Sequence, residues 1–473
     1  MEQKASKSEL YLKQREEIVK KDRKDYFCVD VPSLTEEEKK ADESFLKIKE
    51  ELLSDGKMPF LDNYYKSFPV ISSSKLFKSL HKMPKGAHLH LHMTAASRID
   101  FLMEIAKEDC VYYNESLNLC KVFVENEPEE GYKKCSEIRE NWDKEGTFDD
   151  FLQDKILLNE EDVSSKHSNT IWSKFQPKFD VTFDLYNYEK FFERILYQVM
   201  IDHIEEKCFI LEFRHIFGCI FNDKHEVISL EDELALFNRC IEKVKEVEPS
   251  FSLKLISCGL KIVGEGHINS QLKSCIEGLK KTKIIAGFDL VCEEEITPPL
   301  LTFQNLIRLA QEDEETPVNV YLHAGETSSR FGENVYDAVI LGTKRIGHGF
   351  AIQNHPHLIE IAKENEICLE VCPLSNLILG YTYDLRWHPA RSLMYRGVPL
   401  TISADDPGFW KSHGTTLDYC YIALAWELTL KELKQFAING IKHAALNDTE
   451  REKQREKFDE EWTKWIEHLN SQE

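Results

Sequence analysis

The sequence predicts an α/β fold, an eight-stranded parallel (β/α)8 barrel, and three observations carry that prediction. Eight short, apolar, β-branched runs recur at 86–92, 208–215, 252–260, 283–290, 317–323, 345–350, 367–372 and 399–405. Helical patterns separate most of them, at 230–247, 268–280, 301–312 and 356–365, the alternation that βα units of a parallel sheet require. Four runs end on chemistry-bearing residues: His88-Leu-His90-Leu-His92, His323-Ala-Gly-Glu326, Gly347-His348-Gly349 and Ser403-Ala-Asp405-Asp406-Pro407. A parallel barrel gathers the C-terminal ends of its strands at one mouth, so it is the fold that makes one site of four scattered segments.

Ahead of the barrel, residues 1–80 read as a helical arm with helix-favouring stretches at 11–27 and 34–53. The second opens on Ser33-Leu-Thr35-Glu36-Glu37, a capping signal. Phe27, Phe45, Leu46, Leu52 and Leu53 give apolar faces that need cover, which favours a dimer-forming arm over a solvated appendage. The barrel proper spans 81–473. About 115 residues separate its first two runs, too many for one crossover, so about 109–170 is an inserted, polar, cysteine-bearing subdomain followed by helices. Residues 430–471 read as one charged helix with Trp462 and Trp465 on a shared face.

The 473 residues suit a barrel of about 250 residues plus insertions. With 42% hydrophobic and 30% charged residues the chain is globular, and a net charge of -23 argues against nucleic acid or an anionic membrane as partner. No stretch approaches the roughly 18 apolar residues of a membrane span, and the first residues lack the apolar core of a signal peptide. The reading is cytoplasmic, with secretion as the alternative. Thirteen cysteines make an odd count, and Cys208, Cys258, Cys368 and Cys372 sit in predicted core strands as small hydrophobes. Cys120 and Cys135 bracket part of the insertion and form a disulfide only if the protein meets an oxidising compartment.

Residues two apart on a strand share a face, so His90 and His92 can grip one ion, with His88 deeper on the same face. His90, His92, His323 and Asp405 then supply three imidazoles and a carboxylate, a set that suits one zinc ion per chain. Such an ion lowers the pKa of bound water from roughly 15.7 to about 7. Glu326 follows a turn-permitting Gly and reaches the substrate beside the metal as a proton donor. His348 orients or deprotonates the attacking water, and Asp406 is free to bond to substrate.

The segments Met83-Pro-Lys-Gly-Ala-His88-Leu-His90-Leu-His92, His323-Ala-Gly-Glu-Thr327, Arg345-Ile-Gly-His-Gly-Phe350, Glu370-Val-Cys-Pro-Leu-Ser-Asn376 and Ser403-Ala-Asp-Asp-Pro407 resemble the adenosine deaminases. The opening motif, Thr170-Ile-Trp172-Ser-Lys-Phe175 and Ala286-Gly-Phe-Asp-Leu290 are similar to the growth-factor-related subfamily. The resemblance implies a zinc-containing (β/α)8 barrel that hydrolyses adenosine, and 2'-deoxyadenosine, to the inosine product and ammonia. It implies that His90, His92, His323 and Asp405 hold zinc, that Glu326 protonates purine N1, that His348 assists attack at C6, and that Asp406 contacts N7. It adds Trp172, Cys292 and Met93 to the substrate-contacting set. A homodimer formed through the 1–80 arm is implied as well.

Departures from the family pattern line the pocket. Met93 stands where the resembled enzymes have an Asp for the ribose 5' end, Cys292 where a Gly amide holds the purine, Ser328-Ser329 for Asp-Trp, and Leu260-Lys261 for His-Arg. Met93 points to a 5'-modified adenosine such as methylthioadenosine as the alternative substrate. A catalytically weak, growth-factor-like binder is the alternative of another class. A two-metal hydrolase lacks its bridging Lys, because Lys283 lies at the wrong end of the fourth run, and AMP deamination lacks a phosphate clamp, Lys261 being alone.

Overall fold

A computed structural model describes residues 7–22, 27–31, 33–165, 167–327 and 333–471, so Ser328 and Ser329 lie outside the described residues. The barrel strands are β1 (Gly86–His92), β2 (Cys208–His215), β3 (Ser252–Leu260), β4 (Ile285–Val291), β5 (His323–Ala324), β6 (Arg345–His348), β7 (Cys368–Val371) and β8 (Leu400–Ile402). Two parallel four-stranded sheets, β1-β2-β3-β4 and β8-β7-β6-β5, form its two halves. Single parallel bridges, Phe288 to Val320 and Leu91 to Asp405, join the halves along both edges. All eight strands therefore close into one barrel, with Arg214, Asp289, Arg345 and Glu370 joined across its axis and Leu89, Leu91 and Phe213 buried on the opposite face of their strands.

The fifth run is shorter as a strand than the sequence predicts. Residues 319–321 run beside β4 through a single bridge, with Phe288 N–H donating to Asn319 O and Tyr321 N–H to Phe288 O, and Gly287 allows that close approach, since a Cβ there would meet Asn319 O at 2.2 Å. β6 stops at His348 because Gly349 turns the chain at φ 69. After β8 the chain still runs along β1, with Asp405 N–H donating to His90 O and His92 N–H to Asp405 O, both at 3.1 Å. That continuation carries Asp405 to the first strand.

The arm's main helix, Glu36–Leu52, starts where Thr35 accepts from Glu38 N–H and the Glu38 carboxylate accepts from Thr35 N–H. Phe27 and Phe45 find their cover within the same chain, on Phe436 at 4.8 Å and on Trp465 at 6.4 Å between ring centroids. Those two side chains therefore need no partner copy. The preceding helix, Lys7–Asp22, leaves Leu10, Tyr11, Leu12 and Ile18 exposed. Residues 430–471 form two helices, Leu430–His443 and Asp448–Asn470, rather than one. Asn447 and Glu450 make a second capping box, and Arg451 donates to the Ile441 and Leu446 carbonyls left at the break.

Between β1 and β2 lie a three-stranded antiparallel sheet (Val111–Asn114, Leu119–Val122, Lys133–Lys134) and the helices Cys135–Glu140 and Phe148–Ile156. Cys120 and Cys135 are buried free thiols there.

At the foot of β1, Gly86 has φ 73, and a Cβ would meet Ala437 O at 2.0 Å. Gly86→Ala combines a left-handed backbone with overpacking against a helix backbone, and is expected to cost about 2 kcal/mol or more in urea unfolding. An unchanged midpoint would show that the helix behind β1 can move aside.

Candidate active site

Strand alternation on β1 sends His88, His90 and His92 to one face, but their neighbours divide the work. His88 is fully engaged: its Nδ1 lies 2.9 Å from His203 Nε2, and its Nε2 accepts from Ala404 N–H. His90 and His92 each place Nε2 at 3.3 Å from Asp405 Oδ1. Ligand atoms of His90, His323, His348 and Asp405 lie within 4.8 Å of one another, as do those of His92, Asp405 and Asp406. His90 Nε2 is buried and has no hydrogen-bond partner. An orphaned buried nitrogen amid three imidazoles and a carboxylate is the donor set a zinc ion takes.

Each of these side chains is aimed by a second group. His90 Nδ1 lies 2.9 Å from Glu370 Oε2, and His323 Nδ1 lies 2.7 Å from Asp289 Oδ2. Because a carboxylate only accepts, both imidazoles donate through Nδ1 and keep Nε2 as a lone pair toward the cluster. Ser375 Oγ donates to Asp405 Oδ2 at 2.7 Å. Arg214 links the two carboxylates, donating to Asp289 at 3.0 Å, to Glu370 at 2.5 Å and to Leu89 O at 2.5 Å. Arg345 in turn donates to Glu370 and Glu212. Burial would raise the Asp289 carboxyl, but His323 and Arg214 hold it well below the usual carboxylate range. Burial brings His323 down to about 4, against the pull of Asp289, so the ring is neutral and able to ligate.

Glu326 lies in the turn after β5, 5% exposed. Its position is set by Glu294, whose two oxygens accept from the backbone N–H groups of Gly325, Glu326 and Thr327. Burial first, then Asp405 and Glu294, push the Glu326 carboxyl well above its ordinary range. The same causes, burial and then Asp405, raise Asp406, whose Oδ1 has no partner. Two carboxyls whose affinity for a proton is raised by burial and by Asp405 thus flank the cluster.

A relay fixes the tautomer of His348. Ala390 N–H donates to His388 Nδ1, so His388 Nε2–H faces Asn376 Oδ1 at 3.1 Å. Asn376 Nδ2 then donates to His348 Nδ1 at 3.3 Å. His348 therefore carries its proton on Nε2, 3.5 Å from Glu326 Oε1. Burial keeps both rings neutral, His388 at about 3 and His348 well below its ordinary value. His348 and Asp405 hold φ of 60 and 68, left-handed values that non-glycine residues tolerate only where the surroundings enforce them.

The cluster opens into a cavity of about 240 Å³, lined among others by Met93, Trp172, Cys292, Glu326, His348, Asp405 and Asp406. Met93 is 1% exposed. Trp172 Nε1–H donates to Tyr381 Oη at 2.6 Å, tying the helix Ser168–Asn187 over the mouth. Cys292 has φ 100, a conformation suited to the glycine it replaces in the family pattern. Every predicted site residue thus lies at this one mouth. Arg214, Asp289, Glu294, Ser375, Asn376 and His388 belong to it too, and sequence reasoning assigned none of them. Ser375, Asn376 and Asp289 fall inside motifs already singled out, the only signal that pointed to them.

The adenosine deaminase family model matches residues 149–461. Adenosine deaminase 2 of Dictyostelium discoideum is 31% identical, over 97% of this chain and 87% of its own length. Adenosine deaminase 2-A of Danio rerio is 27% identical, over 92% and 90%. Among solved structures, an amidohydrolase of Burkholderia ambifaria with bound zinc superposes with TM-score 0.60 at 18% identity, covering 84% of this chain and 94% of that one, a likeness of fold. With the model spanning most of the barrel and a relative matched almost end to end, the chain belongs to the adenosine deaminase family, within its growth-factor-related subfamily.

Proposed function

We propose that the chain hydrolyses the C6 amine of adenosine and 2'-deoxyadenosine, releasing ammonia, with one zinc ion held by His90, His92, His323 and Asp405. The observation that carries this is the placing of Glu326 Oε1 at 3.5 Å from His348 Nε2, with the Asn376 contact on the other ring nitrogen, beside that donor set. His92, not His348, is the fourth ligand in this reading, because the Asn376 relay leaves His348 a proton where a ligand needs a lone pair. Bound there, zinc supplies Lewis-acid activation of the attacking water. Glu326 donates its proton to purine N1, which makes C6 electrophilic as the ring loses aromaticity. His348 offers Nε2–H to the incoming oxygen and holds it at one face of C6; of the two protons that oxygen sheds, one restores the Glu326 carboxyl and the other goes to the exocyclic nitrogen, which leaves as ammonia while C6 becomes a carbonyl. Asp406, protonated, donates to N7, an atom that can only accept. The Cys292 amide and Trp172 border the ring.

Incubation with adenosine should deplete absorbance near the purine maximum, dialysis against a chelator should abolish turnover, and one zinc per chain should restore it. Persisting activity in metal-free protein would sink the zinc assignment. A second reading, a 5'-modified adenosine such as methylthioadenosine, draws support from Met93 buried against the cavity; adenosine turnover far exceeding that of methylthioadenosine removes it. The binding-protein reading would gain only if wild type made no more inosine than Glu326→Gln.

The homodimer reading rests on the exposed Leu10, Tyr11, Leu12 and Ile18 of the arm. For a reducing, cytoplasmic location, the support is that Cys120 and Cys135, the pair expected to bridge in an oxidising compartment, are free thiols. No described helix is long and apolar enough to cross a membrane. Secretion remains the alternative location.

A further inference from the structure

We propose that His215 is a substrate-binding residue, accepting a hydrogen bond from a hydroxyl of the sugar on the purine; this rests on the nucleoside reading above. His215 ends β2, lines the same cavity and is 3% exposed. Its Nε2 lies 2.6 Å from Glu233 Oε1, and the other oxygen of Glu233 accepts from Gly218 N–H at 3.1 Å. The rings of Phe217, Phe237 and Phe192 surround the imidazole, with centroids at 4.9, 5.0 and 5.7 Å. Since the Glu233 carboxylate only accepts, Nε2–H is spent on it, and an imidazole that carries its one proton there presents a lone pair at Nδ1.

That Nδ1 is buried and has no hydrogen-bond partner. Buried acceptors are ordinarily paired. His90 Nε2 and Asp406 Oδ1 are orphaned at the same mouth, and each already has a ligand in the proposed reaction. His215 Nδ1 has none in the chemistry so far.

The position fits a sugar. The purine contacts assigned above follow β4 (Cys292), β5 (Glu326) and β8 (Asp406), and N9 lies on the far side of the bicycle from N1. The substituent on N9 is therefore carried toward the ends of β1, β2 and β3. There the strand ends carry Met93 and Leu260, which offer a hydroxyl no strong acceptor, with His215 between them in strand order, while Thr94 and, from the helix Ser168–Asn187, Asp180 and Asn187 also line the cavity. At the strand ends themselves His215 supplies the polar contact that Met93 and Leu260 do not.

The test compares adenosine with 2'-deoxy-, 3'-deoxy- and 5'-deoxyadenosine on purified wild type, His215→Phe and His215→Asn, each checked by thermal melting. Wild type should lose about tenfold in kcat/KM on one deoxynucleoside, mainly through KM. His215→Phe should treat that analogue and adenosine alike, and His215→Asn, which returns an amide oxygen near the Nδ1 position, should restore the preference. Equal use of all four nucleosides by wild type overturns the proposal with no variant needed, and so does wild-type discrimination persisting in His215→Phe. A wild-type protein inactive on all four overturns the nucleoside reading itself, and this inference with it.

Discussion

Glu326→Gln is expected to lower kcat/KM for adenosine by about 10²–10⁴-fold while raising the unfolding midpoint. An amide is nearly isosteric with the carboxyl and still donates a hydrogen bond, but it cannot give up a proton to N1, and general acid catalysis is of that size. The surrounding turn is held by Glu294 through three backbone N–H groups, so the variant keeps its geometry. The stability change has a definite sign. Burial, Asp405 and Glu294 raise the folded-state pKa of Glu326 above its ordinary 4.5. A raised carboxyl favours the folded state fully only below the unfolded pKa, and that contribution is lost as pH rises toward the folded value. Wild type thus carries a cost at neutral pH that the amide does not, and the gap between their melting midpoints should widen from pH 5 to pH 8. Wild-type activity should fall on its alkaline side as Glu326 loses its proton. Midpoints that stay parallel across pH would mean that Glu326 is ionised in the resting protein and is not the acid.

The barrel and the residues gathered at its mouth were legible because they obey short-range rules. His90 and His92 declare themselves by period-two spacing, and Glu326 and His348 by the glycines that end their strands. What supports them was not legible. Arg214 and Asp289 meet across 75 residues of sequence, on β2 and β4, strands that β3 separates in the sheet. Glu370 sits between apolar residues in a run that reads as ordinary core, and nothing local says that its carboxylate faces the axis. The arm shows the same limit from the other side. Phe27 and Phe45 announced faces in need of cover, but Phe436 and Trp465, which provide it, lie some 400 residues away. Asn447 and Glu450, by contrast, are a readable capping pair inside a stretch whose charge pattern runs on without a break, and the local cap decides the structure there.

Arg214→Leu should destabilise the protein by about 3–5 kcal/mol and weaken zinc binding by about 10–100-fold. The guanidinium is buried and bonds Asp289, Glu370 and Leu89 O at once, and removing it leaves two carboxylates at the barrel axis with less compensating charge. Arg345 and His90 still serve Glu370, and His323 still serves Asp289, so the barrel keeps partial compensation. The added negative field acts on His90 and His323 through the very carboxylates that orient them. Both rings then hold protons to higher pH, and a protonated imidazole cannot ligate. Loss of metal affinity should therefore be steeper at pH 6 than at pH 8, a dependence that simple loosening of the fold would not produce. Arg214→Lys separates the two contributions, since it restores one charge but cannot span three acceptors. It should recover most of the pH dependence and little of the geometry. Urea unfolding of metal-free and zinc-loaded protein, with zinc titrated against a competing chelator at both pH values, reads each quantity. A wild-type zinc affinity in Arg214→Leu would show that Asp289 and Glu370 orient their histidines without help, and that the arginine serves packing alone.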